Sequence, residues 1–439
     1  MNRSPSFIAT YADALAFLDA RIGAGIKPGL DRISGLLEYL GDPQVSVPVI
    51  HVAGTNGKST TVNMVAALLS SLDLRVGSFI SPHLHHVEER YGINGQGIDR
   101  DRFVQAVADV APFCDMYEDA SGETVSYFEI TAAIAFQIFA SEGLDVAVVE
   151  VGLGGRWDAT NVIDAAVSVV TGISLDHQAI LGSTIAEIAA EKLAILKDGG
   201  TLVTGLLPAA ADGAATAQVA QTAARWYRFG DDFDVEGLEQ TPTGWLVDVR
   251  GLHDVYTDLQ LNLHGRHQTA HLATAVASVE AFLDRPLPGD LIVPAVESVR
   301  SPGRSEVVLH EPLVLIDGAH NDEGLNGLVT TMSQEFPAIS AWTLVIGVRG
   351  DRDPEHMIRV LGDQIVRVVV CAPDDPQALG VDVVADAAMR VVGAENVVVA
   401  QVVADAIKVA VQGAEAGEGV VIAGSLYVAG EARSALGLA

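Results

Sequence analysis

The chain has 439 residues and a formal net charge of −31 at pH 7. Its length predicts two or more domains, and a hydrophobic content of 49% is enough for a large core. Such an acidic surface repels nucleic acid and anionic lipid, so neither is an expected partner. Nucleotides are also repelled at long range, so a nucleotide site must carry its own positive groups. Compositional drift and adaptation to salt both remain compatible with this acidity.

The cysteines and the apolar runs indicate the cell compartment. Cys114 and Cys371 are the only cysteines, too few for a disulfide framework and outside any metal-ligand spacing. We expect both to be small core residues. No apolar run reaches the length of a membrane span, and the N-terminus lacks a basic region followed by an apolar one. The expected location is the cytoplasm.

Predicted strands and helices alternate through the first half of the chain. Residues 11–40 are predicted as helical segments interrupted at Lys27-Pro28-Gly29. The segments that follow are strands at 45–52, 75–80, 145–151, 167–171 and 201–204, and helices at 62–72, 103–110, 127–140 and 184–196. The β-branched run at 145–151 is typical of a buried strand in a parallel sheet. The alternation predicts a doubly wound α/β sheet.

The pattern changes in the second half. Residues 226–263 form short alternating segments with glycine turns, which indicates a small antiparallel subsheet. A helix at 271–282 and a loop at 285–289 precede a second α/β alternation, with strands at 313–316, 344–346, 366–370, 397–400 and 420–422. We therefore predict a P-loop-type doubly wound domain with the small subsheet at residues 1–295. A second, smaller Rossmann-like α/β domain is predicted at 296–439.

The stretch from Ala53 to Thr60, Ala-Gly-Thr-Asn-Gly-Lys-Ser-Thr, joins a predicted strand to a predicted helix. In such a turn the backbone N–H groups, the helix N-terminus and Lys58 would face a phosphate. Only the inner half of the usual P-loop pattern is present, because Val52 stands where the first glycine belongs. The alternative is an ordinary strand-to-helix turn with a surface lysine.

Polar residues follow several predicted strands at the end where parallel sheets bind ligands. Glu150 ends an otherwise apolar strand, and burying its carboxylate without a role would be costly. Mg²⁺ prefers oxygen ligands, so Glu150 and the hydroxyls of Ser59 and Ser81 form a candidate site. His177 is a candidate ligand or ligand-orienting group. A lone histidine is equally often an ordinary core or surface residue.

Lys192 falls on the apolar face of the predicted helix at 184–196, with Ile188 and Ala189. Burial favours the neutral amine, which beside a metal can take up CO₂ as a carbamate. Periodicity alone favours the alternative, in which the ammonium group extends to solvent.

Three segments of the second domain carry polar groups at strand ends or turns: Ser301-Pro-Gly-Arg304, Asp317-Gly-Ala-His320-Asn321 and Gly424-Ser425-Leu-Tyr427. Arg304 offers a guanidinium fork of the kind that binds phosphate. Asp, Gly and Asn are also common in turns for local reasons, so each signal alone has an ordinary explanation.

Taken together, these segments resemble the folylpolyglutamate synthases and dihydrofolate synthases of the Mur ligase superfamily. The resemblance runs nearly end to end and covers the phosphate loop, Ser81-Pro-His-Leu84, Ile93-Asn-Gly95, Tyr127-Phe-Glu129, residues 150–161, Leu175-Asp-His177, Glu191-Lys192, Pro302-Gly-Arg304, Asp317–Asn321 and Gly424–Tyr427. It implies ATP-dependent amide formation, in which an acceptor carboxylate is phosphorylated and the amine of L-glutamate displaces the phosphate. The implied acceptors are dihydropteroate, reduced folates, or both.

The resemblance also implies roles for individual residues. The phosphates would be held by Gly54, Thr55, Asn56, Gly57, Lys58, Ser59 and Thr60, with Arg304. Asp317 would reach the nucleoside, and His271 stands where the family's ATP-contacting Asn is usual. The implied metal residues, for Mg²⁺ as two ions, are Ser59, Ser81, Glu150 and His177. The implied substrate residues are Tyr127, Phe128, Arg156, Asp158, His320 and Ser425. The implied catalytic residues are Lys58, Glu150, His177, Lys192 in carbamylated form, and His320.

Several positions depart from the family pattern. Ser59 replaces the usual glycine after the loop lysine, and His86 stands where relatives often carry an arginine near the pterin. Asp322 replaces a common proline, and segments 349–353 and 376–377 lack the usual lysines and arginines. These departures leave the ligase residues intact and bear mainly on the identity of the acceptor.

Other functions stay open from the sequence. One is a Mur-type ligase for a different carboxylate, although the folate-type motifs argue against the peptidoglycan branch. Another is a non-catalytic paralogue that binds nucleotide or pterin, although it would not need both the metal and the carbamate residues. A plain P-loop kinase would not need the second domain. The expected partners are small molecules, and the expected state is a monomer.

Overall fold

The computed structural model describes residues 7–25 and 28–438, so Lys27 in the predicted interruption lies outside it. Two compact units are present. Within the described residues, the first unit extends to Gly237 and includes Asp248–Leu259 and Ala270–Ser298. The second unit comprises Leu238–Val247, Gln260–Thr269 and the chain from Val299 onward.

An eight-stranded sheet forms the centre of the first unit, in the order β4-β3-β2-β5-β1-β6-β7-β8. Its strands are β1 (Val49–Ala53), β2 (Val76–Phe79), β3 (Tyr91–Ile93), β4 (Gln96–Gly97), β5 (Val146–Glu150), β6 (Val167–Val170), β7 (Thr201–Thr204) and β8 (Arg225–Arg228). The pairs from β2 to β8 are parallel, whereas β3 is antiparallel to β2 and β4. Every residue of β1, β5 and β6 is buried. The predicted doubly wound parallel sheet is confirmed.

The first strand begins later than predicted. Residues 43–45 form a 3₁₀ turn, and β1 begins at Val49, directly after Pro48. Proline has no N–H for the sheet, so the apolar run before it cannot extend the strand.

The helices of the first unit cover the sheet. They are α1 (Tyr11–Asp19), α2 (Asp31–Tyr39), α3 (Lys58–Ser70), α4 (Arg100–Ser121), α5 (Tyr127–Glu142), α6 (Gln178–Leu181), α7 (Ile185–Leu193) and α8 (Ala209–Thr222). The helix α4 is much longer than the predicted 103–110. Asp99 caps its first turn and Gly122, in a left-handed conformation, ends it. Buried residues continue at helical spacing through Ala111, Cys114 and Tyr117, beyond Pro112, a residue type that normally ends a helix.

A small separate sheet follows, in the order β11-β10-β9, formed by β9 (Asp234–Thr241), β10 (Gly244–Arg250) and β11 (Val255–Leu261). This confirms the predicted subsheet. The helices α9 (His267–Leu283) and α10 (Gly289–Ser298) come next.

The second unit has its own six-stranded sheet in the order β12-β13-β17-β14-β15-β16. The strands are β12 (Glu306–His310), β13 (Leu313–Ile316), β14 (Ala341–Ile346), β15 (Ile365–Ala372), β16 (Val397–Val402) and β17 (Glu418–Ala423). The helices are α11 (Asp322–Glu335), α12 (Pro354–Leu361), α13 (Val381–Val392), α14 (Val403–Gly413) and α15 (Leu426–Ala435). Only β12 pairs antiparallel, at one edge. The sequence did not reveal β12, because it is half exposed and its pairing contains a bulge.

Cys114 and Cys371 are free and buried, as expected of core residues. None of the helices in the described part of the chain has both the length and the apolarity needed to cross a membrane.

Candidate active site

The loop that follows β1 is tied to the chain that follows β6. The N–H of Thr55 donates to the carbonyl of Gly172 (2.9 Å), and the hydroxyl of Thr171 donates to the carbonyl of Asn56 (2.6 Å). Thr55 Oγ1 also accepts from the N–H of Ser174 (3.0 Å). Because β1 and β6 are parallel neighbours, their following segments meet at one edge of the sheet. These hydrogen bonds to the segment that follows β6 therefore hold the phosphate loop in a fixed shape.

Two loop positions require glycine. Gly57 ends the loop at a φ of 77°, and a Cβ there would lie 2.2 Å from ring atoms of His271. A Cβ on Gly54 would lie 1.9 Å from Thr171 Oγ1. The contact at Gly57 brings His271, on α9, against the loop. At this position the resemblance to the family implies an ATP-contacting residue.

Two lysines converge on the same loop carbonyl. Lys58 donates to the carbonyls of Gly54 (3.2 Å) and Thr55 (3.1 Å). Lys192, on α7, donates to the carbonyl of Gly54 over 2.8 Å and is only 5% exposed. The alternative in which Lys192 extends to solvent is therefore wrong. Among the residues that the structure describes, Lys58 forms no ion pair, so its charge is available to a bound anion.

The ends of β2 and β5 also meet at this edge. Glu150 is 1% exposed, and its Oε2 accepts the backbone N–H of Ser81 (3.1 Å). His177 is the N-cap residue of α6 with a φ of 48°, and its Nε2 lies 3.9 Å from Oδ1 of Asp176. Ser59 is half-buried and Thr60 is buried, both in the first turn of α3.

The residues present fit Mg²⁺ in kind. Within residues 7–25 and 28–438, no three His, Cys, Asp or Glu side chains form a metal-binding group. The predicted set contains only Glu150 and His177 of these types, with hydroxyls from Ser59 and Ser81. Mg²⁺ commonly takes one or two carboxylates, waters and substrate phosphates, so a single buried carboxylate at a phosphate loop fits this ion.

The glycine-rich turn after β5 packs on α7. A Cβ on Gly155 would lie 2.5 Å from the carbonyl oxygen of Glu191. Arg156 donates to that carbonyl from its N–H (2.9 Å) and to the Glu191 carboxylate from Nε (2.9 Å). Asp158 accepts from the N–H of Leu153 (2.8 Å) and from both donors of Thr160, and burial raises its pKa. Arg156 and Asp158 therefore hold the turn beside Lys192, and their contact with substrate stays a prediction.

The predicted pterin segment lies at the start of α5. The ring of Phe128 packs on Phe79, with centroids 6.1 Å apart, and fills the space where Gly152 would carry a Cβ. Tyr127 is half-buried, and the guanidinium carbon of Arg90 lies 5.5 Å from its ring centroid. Phe128 thus packs against the glycine-rich turn, whereas part of the Tyr127 side chain is accessible to solvent.

Sequence reasoning missed Arg90 and His83. Arg90 Nε donates to Nδ1 of His83 over 3.0 Å. Burial, together with the positive charge of Arg90, lowers the pKa of His83 to about 3. No spacing in the sequence indicated this pair, because Arg90 lies in a 3₁₀ turn whose burial only the fold reveals.

A second group of predicted residues comes together at the ends of β13 and β17 in the second unit. Asp317 Oδ2 accepts from the N–H (2.7 Å) and hydroxyl (2.8 Å) of Ser305, and Oδ1 accepts from the N–H of Ala319 (2.7 Å). The N–H of Gly424 donates to the carbonyl of Ala319 (3.0 Å), which brings the two strand ends together. An Nη1 of Arg304 lies 2.9 Å from where Gly318 would carry a Cβ.

The remaining predicted residues of this group have local partners. His320 Nδ1 donates to the carbonyl of Gly318 (2.7 Å), which fixes the tautomer of the neutral ring. Ser425 accepts from the N–H of Val428 (3.1 Å) and caps α15. Asp322, one of the departures, pairs with His356 Nε2 over 2.8 Å at the surface.

Comparison with known proteins agrees with this geometry. Residues 52–279 match the Mur ligase middle domain, and residues 303–426 match the glutamate ligase domain of Mur ligases. A dihydrofolate synthase/folylpolyglutamate synthase of Mycobacterium tuberculosis is 38% identical over 99% of this chain and 95% of its own length. The chain belongs to the folylpolyglutamate synthase/dihydrofolate synthase family of Mur ligases.

Solved structures of the family match the whole fold. The M. tuberculosis folylpolyglutamate synthase complexed with ADP and AMPPCP has a TM-score of 0.92 and 38% identity, covering 97% of this chain and 99% of its own. The apo form of the L. casei enzyme has a TM-score of 0.85 and 31% identity, covering 98% and 100%. A Bacillus subtilis relative of the same description is 34% identical over 80% of this chain and 82% of its own.

Proposed function

We propose that the chain is an ATP-dependent ligase that joins L-glutamate by an amide bond to dihydropteroate, to reduced folates, or to both. The observation that carries this function is the convergence of Lys58 and Lys192 on the Gly54 carbonyl, beside a strand edge that also holds Glu150. The family relatives named dihydrofolate synthase/folylpolyglutamate synthase support the acceptors. The AMPPCP and AMPPCP-folate complexes of family members support ATP and a folate as ligands.

In the first step, an oxygen of the acceptor carboxylate attacks the γ-phosphorus of ATP, and ADP leaves. The loop from Gly54 to Thr60 orients the phosphates through backbone N–H groups and the N-terminus of α3. Lys58 offsets the negative charge of the transferred group, which is the main requirement of phosphoryl transfer. Mg²⁺, as two ions held by Glu150, Ser59, Ser81 and His177, would supply further neutralisation when bound.

In the second step, the amine of L-glutamate attacks the acyl carbon and inorganic phosphate leaves, carrying the electron pair of the broken C–O bond. The attacking amine must lose a proton, and His320 is the proposed group beside the incoming glutamate. Its Nδ1–H is engaged by the Gly318 carbonyl, which leaves Nε2 as the basic nitrogen of the neutral ring. Ser425 is the proposed contact for that glutamate.

The other site assignments are part of the same proposal. Arg304 would contact the ATP phosphates, Asp317 and His271 the nucleotide, and Tyr127, Phe128, Arg156 and Asp158 the acceptor side. The functional domains proposed are residues 1–295 and 296–439. The protein is proposed to act as a monomer in the cytoplasm, on small molecules, without nucleic acid or membrane partners.

Carbamylation of Lys192 is a further part of the proposal. The Nζ lone pair would attack the carbon of CO₂ to form an N–C bond, and a proton would be released. The product replaces a buried cation with an anion beside the phosphate loop. Because Lys192 is buried and held at the loop, the carbamate would be sheltered from water.

The test is a turnover assay with the full chain, ATP, Mg²⁺ and L-glutamate, with dihydropteroate or tetrahydrofolate as acceptor. We expect phosphate release that depends on both an acceptor and L-glutamate, with a glutamylated product detected by mass spectrometry. If neither dihydropteroate nor tetrahydrofolate supports turnover, the proposed function is contradicted. The matching variant is Lys58→Met, which keeps the unbranched side chain up to the position of Cε but removes the charged amine and should reduce turnover by roughly 10²–10³-fold.

A further inference from the structure

Arg90 is a buried arginine that has no acidic partner among the residues that the structure describes. It is 6% exposed and lies in the 3₁₀ turn that precedes β3. Two other buried arginines each form an ion pair: Arg21 with Glu118 (3.3 Å) and Arg32 with Glu129 (3.0 Å). In the part of the chain that the structure describes, no carboxylate pairs with Arg90.

One hydrogen bond orients the guanidinium group of Arg90, and it involves only one of the group's nitrogens. Its Nε donates to the unprotonated Nδ1 of His83, and its carbon lies 5.5 Å from the ring centroid of Tyr127. The two terminal nitrogens donate to no residue that the structure describes. The four N–H donors on those two nitrogens therefore have no acceptor among the described residues.

This arrangement indicates an anionic ligand. Arginine stays protonated in proteins, and burying its charge without an anion costs free energy. A neutral histidine offsets little of that cost, because it supplies one hydrogen bond and no opposite charge. A carboxylate from a ligand would accept two parallel hydrogen bonds from the free side of the fork.

The position of Arg90 narrows the ligand. His83 lies two residues beyond Ser81, whose N–H donates to Glu150 at the edge proposed for the reacting group. The carbonyl of Arg90 accepts the N–H of Ile80 (3.0 Å), which fixes the 3₁₀ turn to the end of β2. Tyr127, against the Arg90 guanidinium, belongs to the segment proposed for the acceptor. Arg90 is therefore near the acceptor but outside the group proposed to hold Mg²⁺.

We propose that Arg90 binds the non-reacting α-carboxylate of an acceptor that already carries glutamate. This inference rests on the proposed function. Dihydropteroate has one carboxylate, which is consumed in the reaction. A folate with one glutamate has two, and the α-carboxylate stays anionic while the γ-carboxylate is phosphorylated. Arg90 would thus favour folate acceptors over dihydropteroate.

The test measures binding by calorimetry in the presence of AMPPCP and Mg²⁺, so it does not depend on turnover. Three ligands are compared: tetrahydrofolate, dihydropteroate, and tetrahydropteroyl-γ-aminobutyrate, which lacks only the α-carboxylate. Wild-type protein should bind tetrahydrofolate roughly 10–100-fold more tightly than the aminobutyrate analogue, as expected for a charge-assisted pair. In Arg90→Gln this difference should disappear, while the Kd for dihydropteroate should change less than about 3-fold.

Two further variants complete the design. Arg100→Gln removes a nearby arginine that pairs with Glu88 (3.2 Å) and should leave all three affinities unchanged. Arg90→Lys keeps the charge but loses the fork, and should give an intermediate preference. Equal weakening of all three ligands in Arg90→Gln would overturn the inference, as would equal binding of tetrahydrofolate and its analogue by wild-type protein. Phosphate release by the wild-type protein separately reports whether the proposed function holds.

Discussion

The phosphate loop of the first unit and the Asp317 turn of the second unit are built from similar parts but treat charge differently. Each is a glycine-containing segment after a parallel strand, β1 or β13, and each leads into a helix. At the loop, Lys58 and Lys192 converge on backbone carbonyls, and Lys58 has no ion pair among the described residues. At the turn, three local donors occupy the carboxylate of Asp317.

The difference shows which polar residues are available to a ligand. A cation held only by neutral carbonyls keeps most of its attraction for an anion, because the carbonyl dipoles do not cancel its charge. A carboxylate that accepts from two N–H groups and a hydroxyl is already stabilised within the fold. We therefore expect substitutions at the loop to affect the reaction more than stability, and substitutions at Asp317 to affect stability first.

The largest expected effect is at Lys192. Lys192→Ala should reduce turnover by about 10³-fold or more, because it removes a buried charge beside the transferred phosphoryl group. In protein equilibrated with ¹³C-labelled bicarbonate, ¹³C NMR should show a carbamate signal that is absent in the variant. Depletion of CO₂ should lower wild-type turnover reversibly.

The control for this substitution is Lys197→Ala. Lys197 also donates to backbone and side-chain oxygens, those of Asn161 (2.8 and 2.9 Å), but it lies away from the loop. The Lys197→Ala variant should be less stable than the wild-type protein, and it should keep the carbamate signal of Lys192. A wild-type turnover rate in Lys192→Ala would contradict the predicted contrast between the phosphate loop and the Asp317 turn.

The next effect is at Gly57. Gly57→Ala should weaken ATP binding by roughly 100-fold, because a Cβ would overlap the His271 ring at a φ of 77°. Gly95 has the same φ and open space around its Cβ position, so Gly95→Ala carries only the backbone strain. The double variant Gly57→Ala, His271→Ala should recover thermal stability lost to the overlap. If Gly57→Ala and Gly95→Ala lose equal stability and ATP affinity is unchanged, the close approach of His271 is not important.

A smaller effect is expected at Asp317. Asp317→Asn should lower the free energy of unfolding by about 2 kcal/mol, because the amide NH₂ would face donors that now bind a carboxylate oxygen. Asp322→Asn, on the exposed first turn of α11, should change stability by less than about 0.5 kcal/mol. Denaturant unfolding measures both. Unchanged stability in Asp317→Asn would mean that the three local donors do not depend on the carboxylate, which would remove the contrast with the loop.

The architecture was predictable from the sequence because buried strands have a mainly apolar composition. Fully buried strands such as β5 are apolar at almost every position, so both sheets and the small third sheet were found. The edge strand β12 carried no such signal, and Pro112 inside α4 concealed the second half of that helix. The start of β1 was predicted too early because Pro48 limits the strand, which an apolar count does not register.

The candidate site was predictable only where a motif fixed it. The phosphate loop was identified from spacing, whereas the burial of Lys192 had a plausible alternative until the fold placed its Nζ on the Gly54 carbonyl. Asp158 and Arg156 belong to the same motif, yet their side chains hold a turn. Arg90 and His83 were missed, because an unpaired buried arginine is recognised only from what surrounds it.

The effect expected to be smallest at neutral pH is a pH dependence of stability in the first unit, which grows only as the pH falls. Burial, with the charge of Arg90, lowers the pKa of His83 from 6.5 to about 3. The folded state therefore favours the neutral ring, and the unfolded state binds a proton first as the pH falls. The stability from His83 is fully present above pH 6.5 and is lost between there and about pH 3, at up to about 1.4 kcal/mol per pH unit.

His83→Gln should reduce the slope of unfolding free energy against pH in this range. His51, which is buried and also has its pKa lowered to about 3 by burial, would retain a second contribution of the same sign. His356 is exposed and pairs with Asp322 in the second unit, so His356→Gln should leave the slope nearly unchanged. Equal slopes in wild-type protein and His83→Gln would mean that folding does not lower the pKa of His83, so that its ring is protonated in the folded state over this pH range. Its Nδ1 could then not accept the Arg90 hydrogen bond that orients the guanidinium towards a ligand.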